Sequence, residues 1–458
     1  MQTNRGSRAS WFFIFLMILA SVVPAVAGEL NLVYEQVVKD SYGNEIGYRT
    51  TRLTSPSQLP YGSPWRDYLN QKLPDGKTIF EYARDIAPYL SKPFNLTLSD
   101  RNSVSFSSKS YNGYNINIYE YVTRFTNNES KTFLFLHEFG HVAMLNSYPS
   151  SYDFVGLDYG SDNRHYIDEI LPNANTAWVE GWANAFAANR NNGKVFSLDL
   201  DSSSIVSFLQ NNTFEEMSRN ELYVAKIVYD SFDKISSGKT KAFDVIAKTG
   251  PHYSLREFCR GFTALYPDDK VGLAKILVDN SAGKATLNDI LNYVNGGSRT
   301  VSRDLYNYLA SAGLVKSTAT QTTQTNQSSN TSSSSSGSFW GRIFNWFAGL
   351  FGRKTQTPVA AAPAASVEVQ PVDLPTSPVN DAPGGAATAP ELPTTGVDNS
   401  LAGIDDLAQA QEIYYQAFAD YNRLMAQKGA NDQEVKAALQ KMMQAKAKVK
   451  ELRQRINH

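Results

Sequence analysis

Residues 131–145 read Lys131-Thr132-Phe133-Leu134-Phe135-Leu136-His137-Glu138-Phe139-Gly140-His141-Val142-Ala143-Met144-Leu145. Apolar side chains run through the stretch, which reads as a buried helix with Ser130 as its N-cap. His137 and His141 are four apart, so on a helix they project from one face, one turn apart. Two imidazoles so placed can meet one zinc ion at about 2.0–2.1 Å each. Glu138 adjoins the first of them and can reach a water on that ion. The chain has five histidines, so two of them in one five-residue window is a specific signal.

A zinc ion that does chemistry needs a third protein ligand and an open position. Glu180 is the first candidate. It sits in Thr176-Ala177-Trp178-Val179-Glu180-Gly181-Trp182-Ala183-Asn184-Ala185-Phe186-Ala187, which reads as a second helix. A lone acid in so apolar a run is costly to bury unless it is paired or metal-bound. Asn184 follows one turn later and can orient the ring of His137 or His141.

His137-Glu138-Phe139-Gly140-His141, followed by Trp178-Val179-Glu180-Gly181-Trp182-Ala183, resembles the gluzincin clan of zinc peptidases, in an exported bacterial form. It is similar to the aminopeptidase branch and more distantly to thermolysin. The resemblance implies a zincin-like domain with His137, His141 and Glu180 as zinc ligands. It also implies zinc-dependent peptide hydrolysis: zinc acidifies a water, and Glu138 takes its proton as general base. Two features depart from the pattern. Thirty-eight residues separate His141 from Glu180, more than in the aminopeptidases. Trp178-Val179 replaces the asparagine before the glutamate, which leaves exo- or endopeptidase action open. Gly156-Leu157-Asp158-Tyr159-Gly160 is similar in part to the aspartate motif of deuterolysin-type peptidases, a resemblance that implies Asp158 as the rival third ligand to Glu180. The transition-state oxyanion needs a further donor, for which Tyr223, His165 and His252 are candidates. Tyr223 is preferred as the catalytic partner. Its stretch, Asn220 to Asp230, resembles a downstream helix of exported members of the clan.

Ser103 to Tyr111, Asn112-Gly113 and Tyr114 to Val122 read as a hairpin closed by a type I′ turn. Tyr114, Ile116 and Ile118 alternate with Asn115 and Asn117, as on a half-exposed strand. Glu120 falls on the isoleucine face, so the strand ends or bulges there. In the clan such a strand lines the cleft and pairs with substrate backbone. The fold class expected is α+β, with a small mixed sheet and an active-site helix, then a helical subdomain.

Outside this core the composition changes abruptly. Arg5 and Arg8, the apolar run Trp11 to Val23 and Ala25-Val26-Ala27 read as a signal peptide over 1–27. The peptidase domain spans 28–316. Ser/Thr-rich residues 317–337 and Pro/Ala-rich residues 355–400 read as linkers. Between them, 338–354 is an aromatic amphipathic segment suited to a membrane surface or a partner groove. Leu392-Pro393-Thr394-Thr395-Gly396 matches a wall-sorting signal, but no apolar span follows it. Residues 401–458 read as a helical hairpin or coiled coil suited to self-association. Apolar positions recur there at Ile404, Leu407, Tyr414, Phe418, Tyr421 and Met425, then from Val435 to Ile456.

The 43 basic and 44 acidic residues nearly cancel, which argues against a strongly basic nucleic-acid binder. The single Cys259 excludes an internal disulfide and reads as a small buried hydrophobe. The expected product is secreted, or at the cell surface or in the periplasm, and acts on peptides or proteins. The rival is a non-catalytic surface or scaffold protein that uses the same domain for binding. The intact Glu138 argues against it.

Overall fold

A computed structural model describes residues 28–101, 103, 105–110, 112–149, 154, 156–160, 165–315, 372–373, 404–429 and 431–456. The signal peptide, the Ser/Thr-rich linker and the aromatic segment lie outside these residues.

Strands β1 (Leu30–Lys39) and β2 (Glu45–Leu53) open the chain. Helices α1 (Pro64–Leu69) and α2 (Ile79–Ile86) follow, then β3 (Phe94–Ser99), β4 (Phe106–Ser110) and β5 (Gly113–Tyr119). The five strands form one mixed sheet of order β2-β1-β3-β5-β4. β1, β3 and β5 run parallel, and β2 and β4 pair antiparallel at the two edges. Period-two patterning decides the faces: Leu96, Leu98, Ile116 and Ile118 are buried. The other face carries a ladder of amides from Asn31 through Asn95 to Asn115.

The hairpin differs in two details from the sequence expectation. Ser110 pairs with Gly113, so the connection is residues 111 and 112, one position earlier than Asn112-Gly113. The strand at the sheet edge is β4. Tyr114 to Tyr119 is interior, between β3 and β4. The strand does end before Glu120, where a 3-10 turn over Glu120–Arg124 begins.

Helix α3 (Asn128–Ser147) carries the motif, and α4 (Ala174–Arg190) carries Glu180. The cap of α3 is Asn127, not Ser130: its side chain accepts from the Glu129 N–H at 2.8 Å. Ser130 is already inside the first turn and buried. Short strands β6 (Lys194–Val195) and β7 (Leu198–Asp199) form a small hairpin. Helices α5 (Phe214–Met217), α6 (Glu221–Lys234), α7 (Gly238–Thr249), α8 (Leu255–Leu265), α9 (Lys270–Asp279) and α10 (Leu287–Val294) build the helical half. β8 (Thr300–Val301) and α11 (Arg303–Ser311) complete it. Cys259 on α8 is fully buried, and that burial pushes its thiol up.

Two glycines let three helices stack closely. A Cβ on Gly140 would stand 2.9 Å from the Cα of Ala183, so α3 and α4 touch through backbone. A Cβ on Gly181 would stand 2.5 Å from Val224 Cβ, which brings α6 equally close to α4. The order α3, α4, α6 fixes the distances between the candidate ligands.

Two segments depart from the linker-plus-module expectation. β9 (Val372–Asp373), inside the second expected linker, pairs antiparallel with β8. Helices α12 (Leu407–Lys428) and α13 (Gln433–Ile456) form the expected hairpin, but it packs against residues 120–210 of its own chain. Ile404, Leu407, Tyr414, Phe418, Tyr421 and Met425 are all buried, as their spacing implied. The Tyr415 ring stacks on Phe196 at 3.9 Å and 10°, and Phe208 packs edge-on against Phe418. No helix among the described residues is long and apolar enough to cross a membrane.

Candidate metal centre

Three side chains converge at the buried junction of α3 and α4. Nε2 of His137 and Nε2 of His141 are 3.2 Å apart. Glu180 Oε2 is 3.3 Å from the former and 3.4 Å from the latter. Ligand atoms on a tetrahedral zinc at about 2.0–2.1 Å stand about 3.3–3.4 Å from one another. The triangle therefore has the size of one face of a zinc tetrahedron. Glu180 Oε2 is buried and accepts no hydrogen bond from the described residues. A buried carboxylate oxygen left this way is costly unless a cation completes it. The donor set, two imidazoles and one carboxylate, is one that zinc takes.

Neighbouring groups hold this triangle. Asn184 Oδ1 lies 2.9 Å from Nδ1 of His137. An amide oxygen can only accept, so Nδ1 carries the proton and Nε2 keeps its lone pair. Tyr159 donates its hydroxyl to Glu180 Oε1 at 2.8 Å, which leaves Oε2 to face the histidines. Burial would raise the Glu180 carboxyl, but His165 and His141 hold it well below the usual carboxylate range. Nδ1 of His141 is buried with no hydrogen-bond partner among the described residues.

Glu138 lines the same cleft and is buried. Burial pushes its carboxyl up, and the neighbouring imidazoles offset part of that rise. A carboxyl raised in this way suits a general base that works near neutral pH.

His165 also reaches the site. Its Nδ1 is 2.5 Å from Glu221 Oε2, and its Nε2 is 3.6 Å from Glu180 Oε2. Burial opposes a charge on this ring, but Glu221 and Glu180 outweigh it and push the imidazole up to about 9. Asn220 ties the loop to α6. Its side-chain amide donates to the carbonyls of Ile167 and Glu169 at 2.9 and 2.8 Å, and its oxygen caps the helix at Tyr223 N–H.

Of the residues expected from sequence, His137, Glu138, His141, Glu180 and Asn184 come together. Tyr223 does not. It is fully buried against Phe214, and its hydroxyl has no hydrogen-bond partner among the described residues. The reason is helical geometry: Glu221 faces the cleft, and a residue two positions on points about 200° around the axis. Asp158 turns back on its own loop, accepting from the Gly160 N–H at 2.9 Å. Among the described residues it belongs to no group with the histidines that could hold a metal. His252 packs against Tyr148 and Trp178, remote from the cleft, and burial pushes it down to about 4. Tyr159 and Glu221 were not foreseen. For Glu221, a first-turn acid behind the Asn220 cap was the available signal.

The cleft encloses about 540 Å³. One wall is the edge strand, where Ser105 to Ser108 line it and Phe106 is 45% exposed. The opposite wall includes Gln411, Tyr415 and Arg453 of the α12–α13 hairpin.

Residues 97–280 match the family model of the mycolysin C-terminal domain. That match relates the region to a family of zinc metallopeptidase domains. It runs from within β3 to the end of α9 and includes the three converging residues, Glu138 and Glu221. The α12–α13 hairpin lies beyond it. No curated protein and no solved structure matches the chain.

Proposed function

We propose that this protein is an exported zinc-dependent peptidase in which Glu138 is the general base. The observation that carries the reading is the triangle of His137, His141 and Glu180, with sides of 3.2, 3.3 and 3.4 Å. Zinc held there by these three residues supplies Lewis acidity, polarising a peptide carbonyl and acidifying a water.

The chain's own groups supply the rest. Glu138 takes a proton from the attacking water and returns it to the leaving amine. His165, its Nδ1 held by Glu221, offers Nε2 to the developing oxyanion and takes the role first assigned to Tyr223. The outer edge of β4 has no strand partner among the described residues, and its backbone can pair with an extended peptide. Ser107 of this strand also contacts Glu138, so a peptide laid on the edge passes beside the base.

Metal content and hydrolysis of casein and of short peptides, measured on residues 28–458, test the reading. The expected result is one zinc per chain, with hydrolysis abolished by Glu138→Gln and zinc retained. Glu180→Ala should weaken metal binding. A chain that binds no zinc overturns the proposal. Zinc without hydrolysis of any peptide favours a binding domain instead.

A further inference from the structure

The wall opposite β4 belongs to the α12–α13 hairpin, which is fastened on both sides of the cleft. On one side Asp406 pairs with Arg124 at 3.1 Å, and Glu412 accepts from Thr126 Oγ1 and the Asn127 N–H at 2.6 and 2.9 Å. On the other, Tyr414 donates to Asp168 at 2.5 Å, and Lys446 bonds the same carboxylate at 2.9 Å. Gln411 of α12 stands among these anchors and lines the cleft. Tyr415, one helical turn later on the same face, lines it too, with its ring stacked on Phe196. The first turns of α12 are thereby held in place beside the ligand triangle.

Gln411 is 5% exposed, and its Oε1 is buried without a hydrogen-bond partner among the described residues. A buried acceptor left in this way is costly until a donor reaches it. An amide oxygen can only accept, so what completes it must bring an N–H or O–H. An extended peptide brings such donors whatever its side chains. Its backbone N–H and C=O groups point alternately to its two edges. Groups on one edge can pair with the outer edge of β4, and those on the other face the wall that carries Gln411. A cleft of about 540 Å³ has the size of sites that enclose short ligands.

We propose that Gln411 Oε1 accepts a hydrogen bond from a backbone N–H of the bound peptide, so that the peptide is held between β4 and the C-terminal hairpin. That the ligand is an extended peptide rests on the peptidase reading. The choice of an N–H donor rests on the orphaned oxygen. Gln411 lies outside residues 97–280, so the contact comes from a part of the chain that the family match does not cover.

Calorimetric titration of the zinc-loaded chain, residues 28–458, tests this without relying on turnover. A Glu138→Gln background keeps the peptide intact. N-acetyl-Ala-Ala-Phe-Ala-Ala-amide is compared with analogues in which one backbone N–H at a time is replaced by an ester oxygen. Each is titrated into the chain with Gln411 and into Gln411→Met and Gln411→Glu, with thermal melts to verify folding. With Gln411 present, an ester on the edge that faces the hairpin should weaken binding by about 10-fold, the weight of one hydrogen bond to a buried acceptor. Gln411→Met has nearly the same shape but no amide oxygen. It should erase that penalty and leave those of esters facing β4 unchanged. Gln411→Glu keeps an acceptor oxygen and should keep the penalty. Comparing ligands within one protein cancels any general loss of stability. No ester penalty with Gln411 present, the same pattern of penalties in Gln411→Met, loss of the penalty in Gln411→Glu, or no binding of any peptide overturns the proposal. A Gln411-dependent penalty in a protein whose wild type cleaves nothing keeps this inference and loses the peptidase reading. A wild type that cleaves casein, with penalties indifferent to Gln411, does the opposite.

Discussion

Glu221 Oε2 lies 2.5 Å from Nδ1 of His165, and the other nitrogen of that ring points to the ligand triangle. The carboxylate sets the ring's orientation, and the ring carries that order to the cleft. His165→Ala should lower kcat by about 10²- to 10³-fold, the usual cost of one oxyanion donor. KM and zinc content should change little. Glu221→Gln should cause a smaller loss of the same kind. Steady-state kinetics with metal analysis checks both, and an unchanged kcat in His165→Ala would leave the ring only a packing role.

Asn184 and Tyr159 hold His137 and Glu180 from outside the triangle. Asn184→Ala frees the tautomer of His137, and Tyr159→Phe frees Glu180 Oε1. Each should weaken zinc affinity by about 10- to 100-fold. Competition with a chelator of known affinity reads this directly. Wild-type affinity in both variants would show that the triangle is held by α3 and α4 alone.

Gly181 allows α4 and α6 to meet. A methyl group there would stand 2.5 Å from Val224 Cβ and 2.8 Å from the Glu221 carbonyl oxygen. Gly181→Ala should destabilise the fold by about 1–3 kcal/mol. Adding Val224→Ala should recover only part of this, because the backbone clash persists. Urea midpoints of the single and double variants give the comparison.

His252 is 2% exposed and is pushed down to about 4 by burial. The unfolded chain takes up a proton near the ordinary value of about 6.5, and the folded chain does not. Between those values the unfolded state binds more protons, so stability falls as pH drops from about 6.5 to about 4. The slope from this one group approaches about 1.4 kcal/mol per pH unit. Urea midpoints at pH 6.5 and 5, a window in which His165 stays protonated in the fold, should therefore separate, and His252→Gln should narrow the gap. An equal gap in the variant would assign the pH dependence elsewhere.

The convergence of His137, His141 and Glu180 was legible because helical geometry converts spacing into direction. His137 and His141, and likewise Glu180 and Asn184, are four apart and share a face. The same geometry explains the error at Tyr223, since Glu221 was not recognised as the face-setting residue. Tyr159 and His165 sit on an irregular loop, where spacing carries no directional information. The strand pattern identified β5 but not its neighbours, so the edge fell to β4. The hairpin's apolar positions announced that one face would be buried. They did not say against what, because the partners Phe196 and Phe208 lie some 200 residues earlier in the chain.

The cleft is assembled from distant parts of one polypeptide. Synthesis proceeds from the amino terminus, so His137, His141 and Glu180 on α3 and α4 emerge long before α12 and α13. Until the hairpin arrives, the wall bearing Gln411, Tyr415 and Arg453 is missing. Completion of the cleft is thereby linked in time to completion of the chain. A molecule that lacks the hairpin keeps the His137, His141 and Glu180 triangle yet leaves one side of it unwalled.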